Sequence, residues 1–286
     1  MQTEVYTVNA FTYQNQGGNP AGVVVNADPL NTDQMQKIAS KMSYPETAFV
    51  CTPPQNIHAD LTVRFFTPSS EVDFCGHATL ATFYLLWHLK ILSAGNYTQA
   101  TKAGLLNVCI TDNGQIIMDQ QAPQFMSIFP AQTIAPLLDL PINAINSQFH
   151  PQKVSTGLPD LFVAVTSGYL QQVTPDLPAI SELSRQHNLT GLHVFELTPK
   201  ETHDAICRNF APRFGIDEEA ATGSSSGALA CYLQRHYFPQ KTDYSFLQGQ
   251  SLGLESEINV SLTIADNAVT QVQAFGTATL IKRQTL

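Results

Sequence analysis

Charge is scarce in this chain of 286 residues. Only 13% of them are Asp, Glu, Lys or Arg, against about a quarter in an average domain. What charge there is leans acidic, with 14 Lys and Arg against 23 Asp and Glu. No run or patch of basic residues appears, which argues against nucleic acid and anionic membranes as partners. No apolar run nears membrane-spanning length. The opening Met1-Gln2-Thr3-Glu4 has no basic stretch leading into an apolar one, so no signal peptide is read. The cysteines, Cys51, Cys75, Cys109, Cys207 and Cys231, are odd in number and lack CxxC spacing. That excludes a closed disulfide frame and the common zinc spacings, and it fits reduced thiols in a cytoplasmic protein. The histidines are scattered without metal-ligand spacing. No glycine-rich turn between a strand and a helix marks a dinucleotide site, because Gly17-Gly18-Asn19-Pro20 leads into a strand. Neither a metal nor a cofactor is expected.

What the chain does have is one pattern used twice. Arg64-Phe65-Phe66-Thr67-Pro68 is followed by Cys75-Gly76-His77-Ala78-Thr79 and an apolar helix. Arg208-Asn209-Phe210-Ala211-Pro212 is followed by Thr222-Gly223-Ser224-Ser225-Ser226 and another. Each half sets a glutamate five residues before its glycine, Glu71 before Gly76 and Glu218 before Gly223. A pattern repeated so far apart points to a duplicated domain with two related helix starts. Free backbone N–H groups at a helix start bind anions, aided by the helix dipole. Two such ends facing each other would grip a small carboxylate.

The length gives about two domains. Alternation predicts strands at Glu4 to Ala10, Ala21 to Val25, Thr47 to Cys51 and Leu61 to Phe65. Asn31 or Thr32 can cap a helix with Met35, Ile38, Ala39 and Met42 on one face, ended by Tyr44-Pro45. Val108 to Ile110, Asn113-Gly114 and Ile116 to Met118 read as a hairpin around a tight turn. The Pro-rich stretch from Gln121 to Pro136 reads as the connection between domains. Beyond it, strands at Leu161 to Val165 and His193 to Leu197 flank a helix at Pro178 to His187. Strands at Ile258 to Ile264 and Ala268 to Phe275 follow the second Gly-started helix. The expected division is 1–120, then 121–272, with a closing segment, about 273–286, that can return to the first domain.

Several ordered stretches resemble the phenazine-biosynthesis PhzF family of the diaminopimelate-epimerase-like superfamily. They are Asn9-Ala10-Phe11-Thr12, Gly17-Gly18-Asn19-Pro20-Ala21-Gly22, Glu46-Thr47-Ala48-Phe49-Val50, the first Arg-x-Phe-x-Pro, Cys75-Gly76-His77-Ala78-Thr79, and Ala221-Thr222-Gly223-Ser224. The resemblance implies an α+β fold of two pseudo-symmetric domains. Each would be a curved, mostly antiparallel sheet wrapped around a central helix, with the active site in the cleft between them. It also implies a homodimer, and an isomerase without metal or cofactor that moves a proton between carbons of a small unsaturated carboxylic acid. By position, Glu46 resembles the family's general acid/base. Asn19, Gly76, His77, Gly223 and Ser224 fall on its substrate-binding positions. The family usually has Asp-Pro where this chain has Glu219-Ala220, so Glu219 stands in place of a substrate-holding aspartate. Its extra methylene shifts the carboxylate, and a misplacement of about 1 Å can cost about a hundredfold in rate.

A single carboxyl can carry a proton between carbons if burial raises its pKa well above the free glutamate value of about 4.3. Glu46, between Tyr44-Pro45 and Ala48-Phe49-Val50, has the apolar setting for that. His77 at a helix start is expected to be neutral, since the dipole disfavours a cation there. Ser224 can cap its helix and bind substrate at once. Two other readings remain open. A cofactor-independent racemase would use two thiols, with Cys75 as one; the matching position in the second half is Thr222, a poor base. A non-catalytic binding protein of the same fold is the other.

Overall fold

A computed structural model of the chain describes residues 2–198, 202–266 and 268–286. The fold is α+β, and the chain divides into two compact units. The first comprises residues 1–119 with 275–286, and the second residues 120–274.

In the first unit, strand Glu4–Ala10 lies between Asn19–Val24 and Ala278–Thr285, antiparallel to both. The chain crosses over through helix Thr32–Met42, so strand Glu46–Cys51 joins parallel to Asn19–Val24, as a helical crossover requires. Strand Leu61–Phe66 follows antiparallel. It then pairs with the short Glu71–Val72 and, parallel, with Gly95–Thr101. Gly104–Ile110 and Ile116–Gln120 complete an antiparallel meander. The crossover helix is closed by a capping box between Asn31 and Gln34, which satisfies two first-turn donors. It ends at Met42, with the cap residue Ser43 in the left-handed region, so Pro45 follows an end already made by a cap.

The second unit repeats the plan. Gln152–Ser155 pairs antiparallel with Gln124–Ile128 and with Pro159–Ala164. Helix Leu177–His187, capped by Asp176 with Pro178 in its first turn, crosses over to Leu192–Leu197, parallel to Pro159–Ala164. Ala205–Ala211 lies antiparallel beside it. Ala205–Ala211 also pairs with Ile216–Glu219 and, parallel, with Asp243–Gln248, which leads antiparallel to Ser256–Ala265.

Each unit wraps its sheet on a helix that is buried nearly all round, strongly apolar in the first unit and rich in small and polar residues in the first turn of the second. In the first it is Gly76–His88, packed on strands Glu4–Ala10, Asn19–Val24, Glu46–Cys51 and Ala278–Thr285. In the second it is Gly223–His236, packed on Gln152–Ser155, Pro159–Ala164 and Ser256–Ala265. Thr79 and Thr82 are fully buried in the first helix because their hydroxyls donate back to the carbonyls of Cys75 and Ala78 at 2.8 and 2.7 Å.

Two sequence expectations need correction. The hairpin at Asn113-Gly114 forms, but its loop spans Thr111 to Gln115, and only Gly114 has positive φ. Side-chain bonds of Thr111 to Asn113 and Gln115 shape the loop, so a two-residue turn is not needed. The Pro-rich stretch 121–136 is not a bare linker. Gln124–Ile128 is a paired strand, and helical turns begin at Ala131. Its prolines fall outside the strand, where no ladder donor is lost.

Candidate active site

The two repeated motifs build the same local frame. Arg64 grips Glu71 with two bonds of 2.7 and 3.0 Å, and Arg208 grips Glu218 with two of 2.9 and 2.7 Å. Each guanidinium also lies over the phenylalanine two residues on, Arg64 over Phe66 at 5.1 Å and Arg208 over Phe210 at 5.0 Å. Such forked pairs fix geometry as well as charge. They tie the strand ahead of each central helix to its neighbour and set where the helix begins. Burial tends to push Glu71 up, but Arg64 and Lys102 outweigh it and hold the carboxyl below its usual range. Neither helix is closed by a side-chain hydrogen bond from its cap residue, Cys75 or Thr222. Ser224 therefore does not cap; it is the second helical residue.

At the first helix start four of the singled-out residues come together. Glu46 is the first residue of its strand, 8% exposed, and its Oε2 lies 3.3 Å from Nε2 of His77, 4% exposed. Nδ1 of His77 lies 3.2 Å from the amide nitrogen of Asn19. An amide nitrogen can only donate, so Nδ1 accepts and the ring proton sits on Nε2, directed at Glu46. The tautomer is thus set by Asn19, and a neutral ring matches the dipole argument. Cys75 Sγ lies 3.3 Å from Nδ1 of the same ring. Burial, then the charge of Glu46, push the Cys75 thiol up to about 11. It is a thiol, not a thiolate, at neutral pH. At Gly76 an added Cβ would meet nothing within 4 Å, so the helix start has open space beside it.

Glu46, Cys75 and His77 are also a set able to hold a metal ion, with ligand atoms all within 4.8 Å of one another. Sequence spacing did not reveal this, because Glu46 arrives on a separate strand.

At the second helix start, Glu219 accepts a 2.7 Å bond from the Thr222 hydroxyl. Gln248 holds both, donating to the Glu219 carbonyl at 2.7 Å and to Thr222 Oγ1 at 3.0 Å. Gln120 donates to the Gly223 carbonyl at 2.8 Å, and the Thr156 hydroxyl lies 3.2 Å from the carbonyl of Ser224. Both partly buried, Glu219 and Ser224 are held in place by this frame.

A second polar cluster escaped the sequence reading. Asp160, His193, Asn209 and Ser225 are all at most 2% exposed. The Ser225 hydroxyl donates to Asp160 Oδ2, and the Asn209 amide is shared between that oxygen at 3.5 Å, Ser225 at 3.3 Å and His193 Nδ1 at 3.2 Å. Burial pushes Asp160 up to about 6, against the pull of Ser225, the Gly191 N–H and Asn209; the charge of Glu219 adds to the rise. Burial pushes His193 down to about 3, so its ring is neutral. The signal was present: the first half has Phe65 where the second has Asn209.

Comparison with known proteins gives a consistent picture. A family model described as phenazine biosynthesis-like protein (PhzC-PhzF) matches residues 8–284. An uncharacterized isomerase of Clostridium acetobutylicum is 32% identical, covering 99% of this chain and 97% of its own. The trans-2,3-dihydro-3-hydroxyanthranilate isomerase of Pseudomonas chlororaphis is 28% identical, over 98% of this chain and 97% of its own. The crystal structure of a Bacillus anthracis phenazine biosynthesis protein of the PhzF family superposes with a TM-score of 0.91 at 29% identity, covering 100% of this chain and 99% of that one.

Proposed function

Because the chain belongs to the phenazine biosynthesis-like PhzF family and is an isomerase, we propose that Glu46 is its acid/base, moving a proton between two carbons of a small unsaturated carboxylic acid. The observation that carries the reading is the buried Glu46–His77 contact of 3.3 Å at an open helix start. The His77 N–H orients the carboxyl, and a neutral ring, unlike a cation, does not lock Glu46 in its charged form. One carboxyl then takes the proton from one carbon and returns it to another, so no net proton is gained or lost. The backbone N–H groups at Gly76, and in the second unit those at Gly223 with Ser224, are each suited to bind a carboxylate in the manner of anions at helix starts. Asn19 acts through His77. Glu219, tied to Thr222, stands beside the second of these starts as a polar contact.

The racemase reading loses support at Cys75. Its proton is held too tightly for a base at neutral pH, and its counterpart is Thr222. The proposal includes turnover without metal or cofactor, by a cytoplasmic homodimer. Five free cysteines support the compartment, and the family resemblance supports the dimer. Light scattering on the eluting protein tests the latter.

The test of function is proton exchange in heavy water with small unsaturated and cyclic carboxylic acids, starting from trans-2,3-dihydro-3-hydroxyanthranilate. Mass spectrometry should find isomerised product carrying at most one deuterium per turnover in the wild type, according to how far the Glu46 proton exchanges before its return, and neither product nor deuterium with Glu46→Gln. Binding of these acids with no isomerisation and no exchange in the wild type would identify a binding protein instead.

A further inference from the structure

We infer that Gln120 is a positioning residue for carboxylate binding at the second helix start, acting through the peptide that joins Gly223 to Ser224; this rests on the proposed use of that start. Gln120 opens the second unit, and its side chain reaches the first turn of helix Gly223–His236. Its Nε2 donates to the Gly223 carbonyl at 2.8 Å, and its Oε1 accepts from the Thr156 hydroxyl at 2.6 Å. A backbone carbonyl can only accept, so the amide is held one way round. A first-turn carbonyl already accepts one bond from the helix ladder, so Gln120 is not needed to satisfy it.

What Gln120 changes is the other end of the same peptide. The Gly223 C=O and the Ser224 N–H share one planar unit. A donor on the oxygen polarises that unit and makes its N–H a stronger donor in turn. The Ser224 N–H is among the first-turn groups that have no ladder partner and that suit an anion. The Thr156 hydroxyl, 3.2 Å from the Ser224 carbonyl, stands in the same relation to the Ser225 N–H. Gly227 is an independent sign of the arrangement. It lies inside the helix, where glycine is less favourable than alanine. A Cβ there would lie 2.0 Å from Gln120 Oε1, 2.6 Å from its Cδ and 2.7 Å from its Nε2, the three nearest atoms. The missing side chain is the seat of the Gln120 amide. The first helix has no such seat, because the fully buried Leu80 stands four residues after Gly76, as Gly227 stands four after Gly223.

The full chain tests this in two steps, and the first needs no ligand. Gly227→Ala should raise the denaturation midpoint of the Gln120→Ala chain, through helix propensity, but not that of the wild type, where the new methyl displaces the amide. An equal rise in both backgrounds would overturn the seat. With serine nitrogens isotope-labelled, Gln120→Met should move the Ser224 amide resonance upfield, and further than that of Ser226. Loss of the resonance in Ser224→Ala assigns it. A Ser224 resonance that stays in place would overturn the relay through the peptide.

The second step uses trans-2,3-dihydro-3-hydroxyanthranilate as the probe, bound in a calorimeter to the Glu46→Gln chain so that it is not consumed. Adding Gln120→Met or Gly227→Ala should weaken binding about three- to tenfold, the worth of roughly one hydrogen bond. The two together should cost no more than either alone. In chains that keep Glu46, KM should rise by the same factor and kcat change less. Unchanged affinity in both variants, or no binding of the acid to any chain, would overturn the role of Gln120. An acid that binds with Gln120-dependent affinity but is not turned over by the wild type would leave that role standing and overturn the proposed reaction.

Discussion

The two units share a scaffold and differ in what they bury. Matching Arg64 with Arg208 aligns their registers. Arg64 pairs with Phe49 and Arg208 with Val194; Phe66 pairs with Thr47 and Phe210 with Leu192; Thr47 pairs with Gly22 and Leu192 with Leu161. By this alignment Ala21, Ala48, Phe65 and Ala78 of the first unit correspond to Asp160, His193, Asn209 and Ser225 of the second. The first four are fully buried and apolar; the second four are the buried polar cluster. The same alignment sets Glu46 opposite Gly191. A Cβ at Gly191 would lie 2.1 Å from the Phe210 carbonyl oxygen, so no side chain fits there. The second unit thus cannot hold a carboxylate where the first holds Glu46. Its carboxylate, Asp160, stands on the neighbouring strand, at the position of Ala21, the register partner of Glu46. The comparison shows a duplication that kept its Arg–Glu clamps and helix starts and gave the buried carboxyl a different task in each half. In one it faces an open helix start; in the other it braces the first turn through Ser225.

The sharpest way to break this asymmetry is Glu46→Gln. It keeps shape and removes the titratable group, so turnover should fall by about 10²–10⁴-fold, the range for a lost acid/base. Ligand binding by calorimetry should persist. Turnover near the wild-type level would remove Glu46 from the mechanism and with it the difference between halves.

Gly191→Ala probes the opposite position. The overlap with Phe210 should cost about 1–3 kcal/mol, read as a lowered midpoint in denaturant. An unchanged midpoint would mean that the second half could have carried an acid there, and that backbone sterics do not explain its glycine.

Asp160 sharpens the comparison through pH. Its folded pKa, about 6, lies above the ordinary 3.8. The folded state therefore favours the protonated form, and that contribution is full below pH ~4 and lost as pH rises through ~6. A gap of about two units corresponds to roughly 2–3 kcal/mol. Denaturation of the wild type across this window should show the loss, and Asp160→Asn should flatten it relative to wild type. Parallel profiles would show that Asp160 titrates normally.

The smallest effect is expected at Cys75. Cys75→Ser keeps size and polarity beside His77, so activity should stay within about tenfold and stability within about 1 kcal/mol. A dead serine variant beside an active Glu46→Gln would restore the thiol-based racemase.

Local order in the chain was enough for the repeated frame. Glutamates five residues before each glycine became the Arg64–Glu71 and Arg208–Glu218 clamps, because motif, turn and helix start are contiguous. A cap at Asn31 or Thr32 and the helix at Pro178 were legible for the same reason, and ordered short motifs carried the family and, through it, the α+β class. Tertiary structure alone decided which side chains meet. Glu46, His77 and Asn19 converge from two strands and a helix start, and periodicity says nothing about which strand lies beside which. Asp160, His193, Asn209 and Ser225 each look unremarkable in their own segments. They form one cluster because parallel and antiparallel registers bring three strands and a helix to the same depth. Sequence fixes local conformation through near neighbours, whereas the company a buried polar group keeps depends on strand order and register across the whole sheet.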